Sequence, residues 1–127
     1  MTVSKLRILV IEDDPDGAEM VEIMLNSVGV NVTVAGSAEA ALSELQASPQ
    51  GFDAGIADLA LPEMDGLELL QVIRSDPTTA SLPMVAVTAY HTPELKVKAL
   101  DAGFDAYFAK PLDTTLFMRA LEGLLAR

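Results

Sequence analysis

Short apolar runs alternate five times with segments of helical periodicity, and this alternation constrains the fold more than any other feature of the sequence. The apolar runs occupy residues 6–11, 30–34, 54–57, 84–87 and 106–109. The first helical segment opens near Pro15 and ends at Gly29, with apolar residues at Ala18, Val21, Leu25 and Val28. Strands separated by helices pair in parallel, because each helix returns the chain to the same end of the sheet. The sequence therefore predicts an α/β fold of five successive βα units, (βα)5, in which helices cover both faces of a doubly wound, five-stranded parallel sheet.

Two of the runs predict where their strands lie in the sheet. Residues 30–34 alternate between apolar and polar side chains, which is typical of a half-buried strand at an edge. Residues 84–87 are apolar without interruption, which is typical of a strand buried on both faces in the middle of a parallel sheet. The 127 residues are enough for one domain and too few for two of ordinary size, so we expect a single domain over residues 1–127.

The charge balance excludes several kinds of partner. With 8 basic and 19 acidic residues, the formal net charge of −11 opposes contact with nucleic-acid phosphates and with anionic membranes. The first apolar run is followed at once by Glu12, Asp13 and Asp14, so it has neither the length of a membrane-spanning helix nor the features of a signal peptide. Because the chain also lacks cysteine, we expect a cytoplasmic protein that binds neither nucleic acid directly nor membrane.

Polar side chains follow four of the apolar runs at the point where each strand ends. They are the acidic segment 12–14, Asp58, Thr88 and Lys110. Because the carboxyl ends of parallel strands meet at one edge of the sheet, these side chains are expected to converge on one crevice. Several carboxylates in one pocket repel one another unless a cation joins them, and Mg²⁺ prefers oxygen ligands. The sequence therefore predicts a Mg²⁺ site to which Asp13, Asp58 and a backbone carbonyl contribute.

The same crevice is suited to a phosphoryl group. Lys110 supplies a compact positive charge and Thr88 a hydroxyl that donates to an anionic oxygen. A carboxylate can attack phosphorus to give an acyl phosphate when cations neutralise the transferring oxygens, and Asp58 is the best candidate nucleophile. Taken alone, the acidic segment 12–14 is equally well explained as a solvated turn that caps the first helix; its coincidence with the other three residues favours the site.

These residues resemble the receiver domain of two-component response regulators, the CheY-like family. The resemblance covers essentially the whole chain. It is carried by the acidic pair Glu12-Asp13 after the first strand, by residues 58–66 (DLALPEMDG), by Thr88-Ala89 and by Lys110-Pro111, whose spacing also agrees with the family pattern. The resemblance implies a flavodoxin-like sheet with strand order 2-1-3-4-5.

For the site, the resemblance implies that Asp58 is modified by a phosphoryl group taken from the phosphohistidine of a histidine kinase or a histidine phosphotransfer protein. Mg²⁺ would be bound by Asp13, Asp58 and the Ala60 carbonyl, and Glu12 would hold metal-bound water. Lys110 and Thr88 would bind phosphoryl oxygens.

The resemblance also implies a conformational switch. Tyr107 stands where the family has an aromatic ring that turns inward as Thr88 moves toward the phosphate, although a plain half-exposed strand aromatic is an alternative reading. The Lys110-Pro111 peptide bond is expected to be cis. His91, the only histidine, is expected on a surface loop rather than in catalysis.

Two docking surfaces are expected. The phosphoryl donor would dock near Asp14, Pro15, Ala18 and Pro111. The output surface of the fourth helix, fifth strand and fifth helix would lie around Lys96, Ala99, Tyr107 and Phe117. Since 127 residues leave no room for an effector domain, output would pass to a downstream effector protein, or the chain would be a receiver cut from a larger protein; a monomer or weak dimer is expected.

Two other functions compete with a signalling receiver that turns over no external substrate. The first is a Mg²⁺-dependent phosphatase with an aspartyl nucleophile, for which the Asp-x-Asp pattern after the first strand is incomplete in Glu12-Asp13-Asp14. The second is a pseudo-receiver that acts by protein contacts without phosphorylation, against which the complete set of Asp58, Thr88 and Lys110 argues.

Overall fold

The computed structural model describes residues 6–48 and 50–126, which form five strands and five helices in strict alternation. The strands are β1 (Arg7–Ile11), β2 (Asn31–Ala35), β3 (Ala54–Asp58), β4 (Met84–Thr88) and β5 (Ala106–Ala109). The helices are α1 (Pro15–Asn26), α2 (Ala38–Ala47), α3 (Gly66–Ser75), α4 (Pro93–Ala102) and α5 (Thr114–Leu125). All strand pairs are parallel and their order is β2-β1-β3-β4-β5. The predicted fold class and strand order are confirmed.

The sheet separates two apolar layers, and β1 contributes to both. Ile8 and Val10 belong to the layer shared with α1 and α5, which also contains Phe117. Leu9 and Ile11 belong to the layer shared with α2, α3 and α4. Neighbouring side chains of a strand point to opposite faces, so a continuous apolar strand can fill two layers at once. The apolar runs are uninterrupted because both faces of these strands are buried.

The strand positions agree with the patterns that predicted them. All five residues of β4 are buried, as are those of β3, and both strands lie inside the sheet. β2 stands at one end of the strand order, next to β1, and is largely half-buried or exposed, as expected of an edge. Over the described residues, no helix is both long and apolar enough to cross a membrane.

Each helix begins at a polar side chain that accepts hydrogen bonds from the first free backbone N–H groups. The capping residues are Asp14, Ser37, Asp65, Thr92 and Asp113. Such a cap contributes about 1 kcal/mol to stability, because the first N–H groups of a helix have no partner within the helix. The acidic and hydroxyl residues before the helical segments therefore have a local structural function, whatever else they do.

The end of α1 differs from the prediction. The helix ends at Asn26 rather than continuing to Gly29, and Val28 is 40% exposed instead of facing the core. Gly29 has a left-handed φ of 85°, and the N–H of Val30 donates to the carbonyl of Leu25 over 3.1 Å. After this turn Val30, which is 2% exposed, rather than Val28, belongs to the apolar layer.

Three residues assigned to docking surfaces are buried, so those assignments were wrong. Ala18 is 5% exposed, and Ala99 and Phe117 are fully buried. Their apolar side chains lie on the helix faces that pack against the sheet, which the helical spacing itself required. Asp14, Pro15 and Pro111 are exposed, as is Lys96, and Tyr107 is half-buried.

Gly66, the first residue of α3, packs directly against the backbone that carries Asp58. A Cβ atom at Gly66 would lie 2.8 Å from both the Asp58 carbonyl oxygen and Leu59 Cα. The N–H of Gly66 also donates to the Leu59 carbonyl over 3.1 Å. The Asp65-Gly66 pair therefore does more than shape a turn, because the missing side chain lets α3 approach the end of β3.

Replacing Gly66 with alanine should lower the free energy of unfolding by about 1–3 kcal/mol, because backbone atoms cannot move aside as a flexible side chain could. Gly123 in α5 is a matched control, since a Cβ atom there would meet nothing within 4 Å. Gly123→Ala should raise stability by up to about 1 kcal/mol through helix propensity. Urea denaturation of both variants checks this; equal effects of the two changes would contradict the proposed close approach.

Candidate functional site

The polar residues at the strand ends come together around the ammonium group of Lys110. Lys110 follows β5, and its Nζ donates to Asp58 Oδ2 at the end of β3 over 2.9 Å. The same Nζ donates to Glu12 Oε1 in the segment after β1. Three distant segments of the chain thus meet at one edge of the sheet, as the sequence predicted.

Asp58 is 6% exposed, and both of its carboxylate oxygens are held. Oδ1 accepts a 2.8 Å hydrogen bond from the N–H of Ala60, and Oδ2 accepts from Lys110. Burial raises the pKa of Asp58, but the hydrogen bonds from the Ala60 N–H and from Lys110 lower it, and the pKa is lowered overall. Asp58 is therefore an ionised carboxylate at neutral pH.

The pKa of Glu12 is shifted in the opposite direction, although Glu12 is almost as buried as Asp58, at 7% exposure. Burial raises its pKa, the nearby Asp58 carboxylate raises it further, and the hydrogen bond from Lys110 only partly offsets both. Lys110 itself loses hydration, which lowers its pKa, but the two carboxylates more than compensate and raise it above its ordinary value. Lys110 is therefore a charged ammonium that partly neutralises two acids.

Thr88 ends β4 next to this cluster and is 1% exposed. Its Oγ1 accepts a 3.0 Å hydrogen bond from the N–H of Tyr90, and its carbonyl accepts a 2.8 Å bond from the N–H of Lys110. The hydroxyl proton of Thr88 stays available for another acceptor, since only the oxygen is used in the bond with Tyr90.

The acidic side chains can form a cation site. Carboxylate oxygens of Glu12, Asp13 and Asp58 all lie within 4.8 Å of one another, and Asp13 is exposed to solvent. Three carboxylates beside one lysine leave two negative charges, which matches a single divalent ion. Oxygen-only donors of this kind suit Mg²⁺. Ala60 contributes its N–H to Asp58, and within residues 6–48 and 50–126 its carbonyl accepts no backbone hydrogen bond from another loop or turn.

Tyr107 lies on β5 and has a partner that sequence reasoning missed. Its hydroxyl is 2.8 Å from Nδ1 of His91, which is exposed on the loop between β4 and α4. The surface position of His91 is confirmed, but no sequence pattern signals this contact, because the two residues belong to different elements. The Lys110-Pro111 peptide bond is cis, as expected.

Comparison with known proteins agrees with this geometry. The family model described as the response regulator receiver domain matches residues 8–122. The chain belongs to this family. Receiver domains are signalling modules of two-component systems.

Some proteins similar to this chain have about the same length, and others are longer. A 14.6 kDa protein of Leptolyngbya boryana is 39% identical over 122 residues, which cover 95% of this chain and 91% of that protein. The DNA-binding dual master transcriptional regulator RpaA of Synechocystis is 36% identical over 95% of this chain, yet this chain spans only 49% of RpaA. The receiver domain of the sensor histidine kinase PA1611 from Pseudomonas aeruginosa has 30% identity and a TM-score of 0.86, with 96% of this chain and 98% of that chain covered. That structure contains a magnesium ion coordinated in its active-site cleft.

In the absence of divalent ions, replacing Glu12 with glutamine should make the receiver more stable. A pKa raised in the folded state means that ionisation of Glu12 opposes folding, so stability is lost as pH rises through the folded-state pKa. At pH 7, Glu12→Gln should raise the free energy of unfolding by up to about 1 kcal/mol. This gain in stability should shrink below pH 4.5, the ordinary pKa of the side chain, because wild-type Glu12 is then protonated in both the folded and the unfolded state.

Urea denaturation in EDTA across this pH range measures the gain. Glu19→Gln on the exposed face of α1 is the matched control and should change stability by less than about 0.5 kcal/mol. A loss of stability for Glu12→Gln at pH 7 would show that the bond from Lys110 outweighs burial.

Proposed function

We propose that this receiver is a phosphorylation switch in which Asp58 takes a phosphoryl group from the phosphohistidine of a histidine kinase or a histidine phosphotransfer protein. The observation that carries the proposal is the pair of hydrogen bonds on Asp58, from Ala60 N–H to one oxygen and from Lys110 to the other. They keep the carboxylate ionised and orient it, as a nucleophile requires.

In the proposed reaction a carboxylate oxygen of Asp58 attacks phosphorus and the phosphorus–nitrogen bond of the phosphohistidine breaks. The product is an aspartyl phosphate, and the imidazole leaves with the bonding electron pair. Negative charge spreads over the transferring oxygens, and catalysis consists mainly of positioning and charge neutralisation. Lys110 supplies a positive charge beside Asp58, and Thr88 a hydroxyl that donates to a phosphoryl oxygen.

Bound Mg²⁺ would supply the remaining positive charge at the transferring oxygens. The side chains that would hold it are those of Asp13 and Asp58, with the Ala60 carbonyl as a third protein ligand and Glu12 fixing metal-bound water. The clustering of the three carboxylates supports this assignment. The magnesium ion in the cleft of the PA1611 receiver supports it from a relative.

The output is a change of surface rather than turnover of an external substrate. Phosphorylation would draw Thr88 toward Asp58 and reposition Tyr107 and the exposed surface near Lys96 on α4. A downstream effector protein or domain would read this surface. RpaA, named as a DNA-binding regulator, is about twice as long as this chain, which supports an effector outside residues 1–127 rather than direct nucleic-acid binding by a receiver of net charge −11. We place the protein in the cytoplasm, as a monomer or weak dimer.

Phosphorylation should depend on Asp58. Incubation with acetyl phosphate and Mg²⁺ should label the wild type to about one phosphoryl group per chain, because transfer to a carboxylate is stoichiometric. Asp58→Asn should abolish the label, which should otherwise be stable to acid and labile to base. Asp101→Asn, an exposed change on α4, is the matched control and should label like the wild type. Intact-protein mass spectrometry measures the outcome.

The rival functions predict different results in that experiment. Catalytic release of phosphate from unrelated phosphoesters would favour the Mg²⁺-dependent phosphatase with an aspartyl nucleophile. Absence of any label, with an unchanged fold, would favour the pseudo-receiver and contradict the switch.

Mg²⁺ should stabilise the wild type, and Asp13→Asn should remove most of that effect. At a free Mg²⁺ concentration of ten times the dissociation constant, binding to the folded state adds about 1.4 kcal/mol to stability. Asp16→Asn is the matched control, because Asp16 is a nearby exposed acid of α1 outside the carboxylate cluster. Thermal unfolding with and without MgCl₂ tests this; equal Mg²⁺ effects in both variants would contradict the assigned ligand.

A further inference from the structure

His91 contacts Tyr107 in two ways. The Nδ1 atom of His91 lies 2.8 Å from the Tyr107 hydroxyl, and the two ring centroids are 5.4 Å apart with an interplanar angle of 55°. Among residues 6–48 and 50–126, no other group forms a hydrogen bond with this hydroxyl. The rest of the Tyr107 side chain packs against the apolar layer between the sheet and helices α2 to α4. His91 is therefore the polar restraint on the orientation of the tyrosine.

The loop that carries His91 is attached to the proposed phosphoryl site. It begins after Thr88, whose Oγ1 accepts a 3.0 Å hydrogen bond from the N–H of Tyr90. It ends at Thr92, whose Oγ1 accepts a 3.0 Å bond from the N–H of Leu95 and so caps α4. Because the residue before His91 is bonded to the Thr88 side chain, we expect a displacement of Thr88 to change the position of His91 as well.

We propose that His91 is a positioning residue for the switch, holding the Tyr107 side chain in its present orientation until a phosphoryl group at Asp58 displaces Thr88. The proposal rests on the proposed function of Asp58, Thr88 and Tyr107 and adds a residue that the sequence assigned to the surface. The tyrosine hydroxyl can donate to an unprotonated Nδ1 or accept from a protonated one, so the restraint works in either charge state of His91.

The restraint is weak enough for a phosphoryl group to overcome. His91 is exposed, and a hydrogen bond between neutral groups with access to water contributes little net free energy. Removing it should raise the ratio of the displaced to the present orientation of Tyr107 about two- to fivefold. By linkage, the affinity for a phosphoryl analogue should rise by about the same factor while the present orientation predominates.

The orientation of Tyr107 can be followed by ¹⁹F NMR of protein labelled with 3-fluorotyrosine. The chain contains two tyrosines, so a Tyr90→Phe background leaves Tyr107 as the single probe. Spectra without ligand and with Mg²⁺ and saturating beryllofluoride define the two end states. His91→Ala removes the hydrogen bond. His91→Asn is the matched control, because its amide group occupies the place of Nδ1 and can restore the bond.

The proposal predicts that His91→Ala without ligand shifts the Tyr107 resonance toward the beryllofluoride position and binds beryllofluoride about two- to fivefold more tightly. His91→Asn should resemble the background protein in both measurements. If beryllofluoride moves the resonance but His91→Ala leaves population and affinity unchanged, the positioning role is overturned and the switch stands. If beryllofluoride binds without moving the resonance, Tyr107 does not change orientation on activation, and both the proposed switch at Tyr107 and the positioning role of His91 are contradicted.

Discussion

The Lys110 ammonium group between the Glu12 and Asp58 carboxylates is the interaction on which the candidate site depends. Both acids are less than a tenth exposed, so without a cation their charges would face each other with little water to screen them. The two acids raise the pKa of Lys110 above its ordinary value, despite the opposing effect of its own burial, so the lysine stays charged at neutral pH. It joins the loop after β5 to the ends of β1 and β3, and in doing so it holds the site together.

The two ends of the sheet are built differently. At the end opposite the site, the Arg74 guanidinium donates to the carbonyls of Leu82 and Gly103 over 2.6 and 2.9 Å and forms a 3.2 Å ion pair with Asp105. A guanidinium satisfied by carbonyls fixes the start of the adjoining strands in one arrangement. At the site, charge remains incompletely neutralised, with three carboxylates and one lysine. The incompletely neutralised charge at the site suits the binding of a cation and a phosphoryl group.

Features that depend on apolar periodicity were predictable from the sequence, and features that depend on contacts between elements were not. Continuous and alternating apolar runs correctly predicted β4 as a central strand and β2 as an edge, because burial on one or two faces determines which residues a strand can tolerate. The output surface expected from the family resemblance was wrong at Ala99 and Phe117, because both side chains lie on helix faces that point into the core. The predicted helical spacing was also wrong for Val28, since the turn at Gly29 depends on backbone conformation. The single-domain extent and the roles of the site residues stay predictions.

The sequence by itself determined the fold and the identity of the residues at the sheet edge, because periodicity fixes the elements and parallel pairing brings their carboxyl ends together. Only the tertiary structure decided the ionisation and the contacts of those residues. It gave Asp58 a lowered pKa and Glu12 a raised one: burial raises both, but the Ala60 N–H and Lys110 lower the pKa of Asp58 overall, whereas at Glu12 the Asp58 carboxylate adds to the effect of burial. It also paired His91 with Tyr107 and brought Gly66 against the end of β3. Such contacts join different elements of the chain, and their distances depend on how helices pack on the sheet, which no local pattern records.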